Sequence, residues 1–270
     1  MNLDTTLFYK FQEITNLASL NQDYSLDALF KSYAVFSGRK NYNDLFDSKI
    51  DLVHPTLQQV LSLLRARIDP TKRRIMDGWV SKGRFTPAGV TFLKTIETKF
   101  GELIDTYPIY SVSIHCTCNL LWAHYASSHK GFCIEFAFDE NEQPQKVIYQ
   151  EHIECINLID FLRYDLGLDN SNELGVRIHN ALLVKLEEWR YEGEHRWIAS
   201  NSMGRVPTGE KFIKIKYEPR KVKSIIFGCR MTPDVKKHII KNIPFTTRFK
   251  QALEMKDRVE IVDFDDKKHL

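Results

Sequence analysis

Short apolar, strand-like runs recur from one end of the chain to the other, with helical patterns between them. "LFYKF" (Leu7–Phe11), "YAVFS" (Tyr33–Ser37), "IYSVSIHC" (Ile109–Cys116) and "GFCIEFAF" (Gly131–Phe138) are followed by "YEGEHRWIA" (Tyr191–Ala199), "EKFIKIKY" (Glu210–Tyr217), "VKSIIFGC" (Val222–Cys229) and "RVEIVDF" (Arg258–Phe264). In "IYSVSIHC" apolar and polar residues alternate, the period of two that marks a strand. Strands so widely dispersed need one shared core, which predicts that "FYKF", "GFCIEF" and "RWIA" belong to a single mixed or antiparallel sheet system, with "KVIYQEHI" (Lys146–Ile153) continuing it.

Helical spacing fills the intervals. "SLDALFK" offers Ser25 as an N-cap for a short helix. "TLQQVLSLLRARI" and "TPAGVTFLKTIETKF" have apolar residues three and four apart, so residues 56–104 form a helical insertion whose two helices are joined by the basic "DPTKRRIMDGWVSKGR". Two further helical patterns run from Asn157 to Arg190. In the second, Ile178, Leu182, Leu186 and Trp189 fall on one face of a long helix. "TPDVKKHIIKNI" has Thr232 as cap and Pro233 at its first position. No repeat or low-complexity linker interrupts the pattern, so the expectation is one α+β domain over residues 1–270.

Composition excludes some classes. With 270 residues, 43% of them hydrophobic, the chain can bury a substantial core. Its 38 Lys and Arg against 35 Asp and Glu are too balanced to argue for nucleic acid without local clustering. No apolar run approaches a membrane span, and "MNLDTTLFYKF" lacks the cationic-then-apolar order of a signal peptide. Five Cys, with Cys133, Cys155 and Cys229 isolated among apolar residues, suit reduced buried thiols. A cytoplasmic location is expected, with no membrane partner.

Two constellations carry chemistry. In "LLWAHYASSHKGFCIEF" a helix over Leu120–His129 would place Trp122, Tyr125 and His129 on one face and His124 nearly opposite. The "SSHKG" exit puts two hydroxyls, His129 and Lys130 before a Gly-permitted turn, a corner that could hold an anion or a ribose. A packed aromatic helix explains the same residues without function. In "EWRYEGEHRWI", strand alternation gives Glu192, Glu194 and Arg196 one face and Tyr191, His195 and Trp197 the other. Two carboxylates about 7 Å apart beside an Arg suit acid–base work or stabilisation of a cationic centre. A solvent-facing charge ladder would have the same spacing. Asn43, Asp44 and Asp47 of "NYNDLFD" could support the site or simply bond their own turn. "HCTC" lacks the second ligand pair of a structural zinc site, so no metal is expected. Arg65, Arg67, Lys72, Arg73, Arg74, Lys82 and Arg84 could track a phosphate backbone or be a solvated corner.

Taken together, "FYKF", "FSGRKNYNDLFD", "LLWAHYASSHKGFCIEF", "EEWRYEGEHRWI" and "VKSIIFGCRMT" resemble, in order over nearly the whole chain, the bacterial domain-of-unknown-function (DUF) family 2971. A weaker resemblance, in an early polar strand residue, a Ser- or Tyr-bearing strand and a late Glu-x-Glu strand, is to the ADP-ribosyltransferases, which have a split-sheet α+β fold. That resemblance implies NAD as substrate, with Tyr9 and Lys10 at the first position, Ser37 or Tyr125 at the second and Glu194 as the catalytic carboxylate. Glu192 would orient or activate the acceptor. The usual Arg or His of the first motif and the Ser-Thr-Ser of the second are absent. His124 and Tyr125 join the catalytic set, while Asn43, Trp122, Lys130 and Arg196 join Tyr9, Lys10 and Ser37 in binding the nucleotide. The leading expectation is an NAD-using transferase or glycohydrolase, in the setting of a toxin or phage-defence effector. The alternatives are a nucleic-acid-binding or regulatory module of a toxin–antitoxin or defence system, working through Arg65–Arg84, and a metal-independent nuclease using His124, His129 and Glu194.

Overall fold

The computed structural model describes residues 6–65, 69–169, 171–199 and 212–270. Ala66, Arg67, Ile68, Asn170, Glu210 and Lys211, which fall within the segments considered above, lie outside them. The architecture is α+β, with a mixed ten-stranded sheet among the described residues. Its main path runs Phe212–Lys216, Tyr33–Ser37, Ile109–Ser113, Leu7–Gln12, Phe132–Ala137, Val222–Phe227, Arg248–Glu254, Val259–Asp263, with Glu194–Ile198 and Gln145–Lys146 attached as a branch. Neighbours are antiparallel except Val222–Phe227 beside Arg248–Glu254. "FYKF", "GFCIEF" and "RWIA" therefore share one sheet, as their need for a shared core predicts.

Both faces of this sheet are covered. One carries Phe8, Phe36, Tyr110, Val112, Phe132, Ile134 and Phe136 under the helices Tyr24–Phe30 and Pro233–Asn242, which contribute Leu26, Leu29 and Ile239. The other carries Tyr9, Phe11 and Cys133 against Leu121 and Trp122 of the helix Asn119–Tyr125. A separate core joins the helices Leu57–Arg65 and Pro87–Asp105 to Leu158–Asp165 and Ser171–Ala181 through Val60, Leu93, Phe100, Phe161 and Ile178. The two helices of residues 56–104 thus pack against helices from much later in the chain.

Several local expectations are corrected. The helix at Tyr24 is capped by Asp23, not Ser25: its buried carboxylate accepts from the N–H groups of Ser25 and Leu26, and also from Thr15 and Asn16. The basic connector has elements of its own, the helix Pro70–Met76 and a hairpin of Val80–Ser81 with Arg84–Phe85. There Trp79 is buried and stacks on Phe92 at 3.8 Å. Arg65, Arg73, Arg74, Lys82 and Arg84 remain exposed. The long helix ending at Trp189 does not form. It stops at Ala181, and Val184–Leu186 becomes a strand paired in parallel with Ile148–Gln150. Only Gln145–Lys146 of the "KVIYQEHI" region reaches the main sheet. Cys155 is exposed rather than buried.

Candidate functional site

The site begins with a change of neighbour. One edge of the Ile109–Ser113 strand is paired with Glu194–Ile198 along its whole length. On the other edge it meets Tyr33–Ser37 at a single position, Ile109 opposite Ser37, and Leu7–Gln12 at a single position, Ser113 opposite Tyr9. Between those contacts the two neighbouring strands splay. Lys10 reaches across the opening, its ammonium donating to the Ser111 carbonyl at 2.9 Å and lying 4.6 Å from the centroid of the Tyr110 ring. A cavity of about 450 Å³ occupies the splay.

Its floor is a buried ionic cluster. Lys185 donates to Glu192 at 2.5 Å and to Glu194 at 3.0 Å, and lies 3.3 Å from Asp47. The Arg196 guanidinium donates to both oxygens of Glu194 (2.7 and 3.0 Å) and, from Nη2, to both of Asp47 (2.7 and 2.9 Å), while Nη1 takes the Ser48 hydroxyl and the Leu182 carbonyl. Planar, five-donor arginine suits this fork-like pairing. Glu192, Glu194 and Arg196 are 4%, 5% and 1% exposed, so the solvent-facing ladder is ruled out.

Local geometry explains how Glu192 and Glu194 arrive together. Glu187–Glu192 is a short 3-10 segment, and Gly193 then turns the chain with φ 52° before the Glu194–Ile198 strand starts. Any other residue would be strained there, and a Cβ would lie 2.6 Å from the His115 ring. The Glu192 carbonyl accepts from the Ser113 hydroxyl at 2.6 Å, and the Glu194 N–H donates to the Tyr149 hydroxyl at 2.7 Å. Both carboxylates therefore hang from a pinned backbone.

The two carboxyls differ electrostatically. Burial opposes ionisation of both. At Glu194 the charges of Arg196 and Lys185 outweigh it and hold the carboxyl far below the usual range. At Glu192 burial prevails over Lys185 and the carboxyl is pushed up. Tyr125 donates to Glu192 at 2.7 Å, and burial followed by the charge of Glu192 raises its phenol strongly. At Lys185 burial is overcome by Glu194, Asp47 and Glu192, which keep the ammonium protonated. Lys10 has no such clamp, and burial pulls it down to about 8. The arrangement combines a carboxyl tuned toward proton transfer, a second one fixed as an anion, and a weakened ammonium across the opening.

Of the residues expected from sequence, Tyr9, Lys10, Ser37, Asn43, His124, Tyr125, Glu192 and Glu194 line the cavity. Trp122, Lys130 and Arg196 do not. Trp122 is core, its indole N–H bonded to the Cys116 carbonyl at 2.7 Å and its ring edge-on to Phe11. Arg196 lies behind the carboxylates. Lys130 is exposed beyond a turn in which Ser127, Ser128 and His129 all adopt positive φ, because the helix ends at Tyr125. His129 is buried with its ring parallel to Trp122. The "SSHKG" corner is a packing joint: the His129 carbonyl accepts from the Arg230 N–H, and that of Gly131 from Gly228. Lys185, Tyr42 and Ser111 have no place in the sequence reading, whereas Asp47, expected either to support the site or to bond its own turn, lines the cavity and pairs with Arg196. The available signal for Lys185 was a lone ammonium inside the apolar run "LLVKL". Among the described residues no group of three or more His, Cys, Asp or Glu is placed to hold a metal, and no helix is long and apolar enough to cross a membrane.

The fold and site thus define an α+β protein with a charged cavity at a branched sheet. Residues 121–197, which carry Tyr125, Lys185, Glu192, Glu194 and Arg196, match a family described as "Protein of unknown function (DUF2971)", supporting the family likeness over that stretch. No curated protein and no solved structure matches the chain.

Proposed function

We propose that the cavity is an active site of ADP-ribosyltransferase type, cleaving the bond between nicotinamide and ribose in NAD and passing the ribosyl carbon to water or another acceptor. The observation that carries this reading is the convergence of Glu192, Glu194 and Tyr125 on one cavity at the sheet branch. Three carboxylates, Asp47, Glu192 and Glu194, face two clamped cations, Lys185 and Arg196, so the floor has an excess of negative charge that suits a developing glycosyl cation.

Glu192 takes the catalytic role in this scheme and Glu194 the anchoring one, because Glu194 is committed to Arg196 and Lys185 while Glu192 keeps the raised affinity for a proton. As the C–N bond breaks, its electron pair leaves with nicotinamide and the Glu192 carboxylate stabilises the ribosyl carbon. The acceptor oxygen attacks that carbon and gives its proton to Glu192. The free cysteines are in keeping with a reducing, cytoplasmic setting.

The test is nicotinamide release from NAD. Wild type should release it, and Glu192→Gln should be slower by about 10²–10³, the usual scale for losing one electrostatic stabiliser. No release by wild type, or equal rates in both proteins, would overturn the reading.

A further inference from the structure

Tyr42 closes the 3-10 turn Arg39–Asn41, its N–H bonded to the Arg39 carbonyl at 3.1 Å. Its ring packs on the helical core, and the residue lines the cavity. Its hydroxyl oxygen is buried and has no hydrogen-bond partner. The other phenols at this floor are engaged: Tyr125 donates to Glu192 and Tyr149 accepts from the Glu194 N–H. The His129 and Trp189 rings also carry unpartnered buried nitrogens, but neither residue lines the cavity.

An unmet buried hydroxyl is destabilising, and a cavity-lining one is relieved by whatever fills the cavity. Burial, helped by Asp47 and Glu194, pushes the Tyr42 phenol far above its ordinary value, so it remains a neutral O–H donor. The charges acting on it, Arg196, Asp47, Glu194 and Lys185, are paired with one another, and Lys185 also holds Glu192, so both cations are committed to carboxylates. A neutral donor beside a floor with an excess of carboxylates fits an uncharged sugar oxygen better than a phosphate, whose charge that excess would repel. A ribose hydroxyl could accept from Tyr42 and donate to a cavity carboxylate.

We infer that the Tyr42 hydroxyl is a ligand-recognition group that donates a hydrogen bond to a ribose oxygen of the bound substrate, an assignment that rests on the nucleotide reading above. The probe is ADP-ribose, which contains the ribose but cannot lose nicotinamide. Its binding is measured by titration calorimetry on wild type and Tyr42→Phe, alongside thermal melts of both without ligand. Tyr42→Phe should bind about tenfold more weakly, the scale of one hydrogen bond, while melting at the wild-type temperature or above it, since no bond within the fold is lost. Equal affinity for the two proteins, or a melt lowered by several degrees, would overturn the assignment. Failure of ADP-ribose to bind wild type would also overturn it. Nicotinamide release by wild type then tells the two failures apart: release with equal ADP-ribose affinities leaves the catalytic reading standing, and absence of release removes that as well.

Discussion

Replacing Lys185 with Met would remove the cation that bridges three carboxylates while keeping most of the side chain's volume. Its ammonium lies 2.5 Å from Glu192, 3.0 Å from Glu194 and 3.3 Å from Asp47, and its side chain is 4% exposed. At an effective dielectric constant of about 20, one pair of charges 3 Å apart interacts by roughly 5 kcal/mol, and relief of the ammonium's own burial offsets much of the total. What remains is three buried carboxylates against Arg196 alone, and breaking a buried ionic group in this way costs about 3–5 kcal/mol. Urea denaturation at pH 7 should show this as a midpoint lowered by about 1 M or more. The loss should shrink at pH 5. Without Lys185 the Glu192 carboxyl, already raised by burial, rises further above its unfolded value. The native state then binds the extra proton as pH falls and gains stability relative to the unfolded chain. A loss below about 1 kcal/mol at pH 7, or one that is the same at both pH values, would refute the description of the cluster as a mutually dependent ionic unit.

Gly193→Ala, which forces a Cβ against the His115 ring at φ 52°, should destabilise by about 1–3 kcal/mol and slow turnover because Glu192 and Glu194 flank the turn; an unchanged melt and rate would contradict that geometry. Lys10 sits at about 8 in the fold against an ordinary 10.5, so between those values the unfolded chain holds a proton that the native state lacks, and stability should rise with pH across that window. Lys10→Met should flatten the rise, as denaturation at several pH values would record.

Much of the sheet was legible because short apolar runs bounded by polar turns mark buried strands: Leu7–Gln12, Phe132–Ala137 and Val222–Phe227 each stand in such a run, and each is a strand. The late helix was misplaced because Ile178, Leu182, Leu186 and Trp189 satisfy helical spacing, yet the chain leaves the helix at Ala181. There Val184–Leu186 gains a partner strand, Ile148–Gln150, that local periodicity does not reveal. That error hid Lys185, which as a helical residue would be one more solvated lysine and as a strand residue enters the ionic floor. The carboxylate pair was visible as Glu-x-Glu, but its burial was not, because a ladder of charges looks the same whether it faces solvent or Asp47 and Lys185. Trp122 and His129 drew attention as aromatic and polar together, and they serve packing. The sequence spacing of Lys10, Tyr42, Lys185 and Glu192 carries no sign of their convergence, which comes from the branch at Ile109–Ser113.

A crystal of the protein soaked with NAD tests the central claim most directly, that the cavity at this branch holds a nucleotide with its ribose beside Glu192. The account predicts density for the nucleotide, or for ADP-ribose left after cleavage, within the splay between Leu7–Gln12 and Tyr33–Ser37, with the ribosyl carbon that bears nicotinamide in contact with the Glu192 carboxylate. Nucleotide bound instead at the exposed Arg65, Arg73, Arg74, Lys82 and Arg84, or a cavity without nucleotide at saturating NAD, would contradict it.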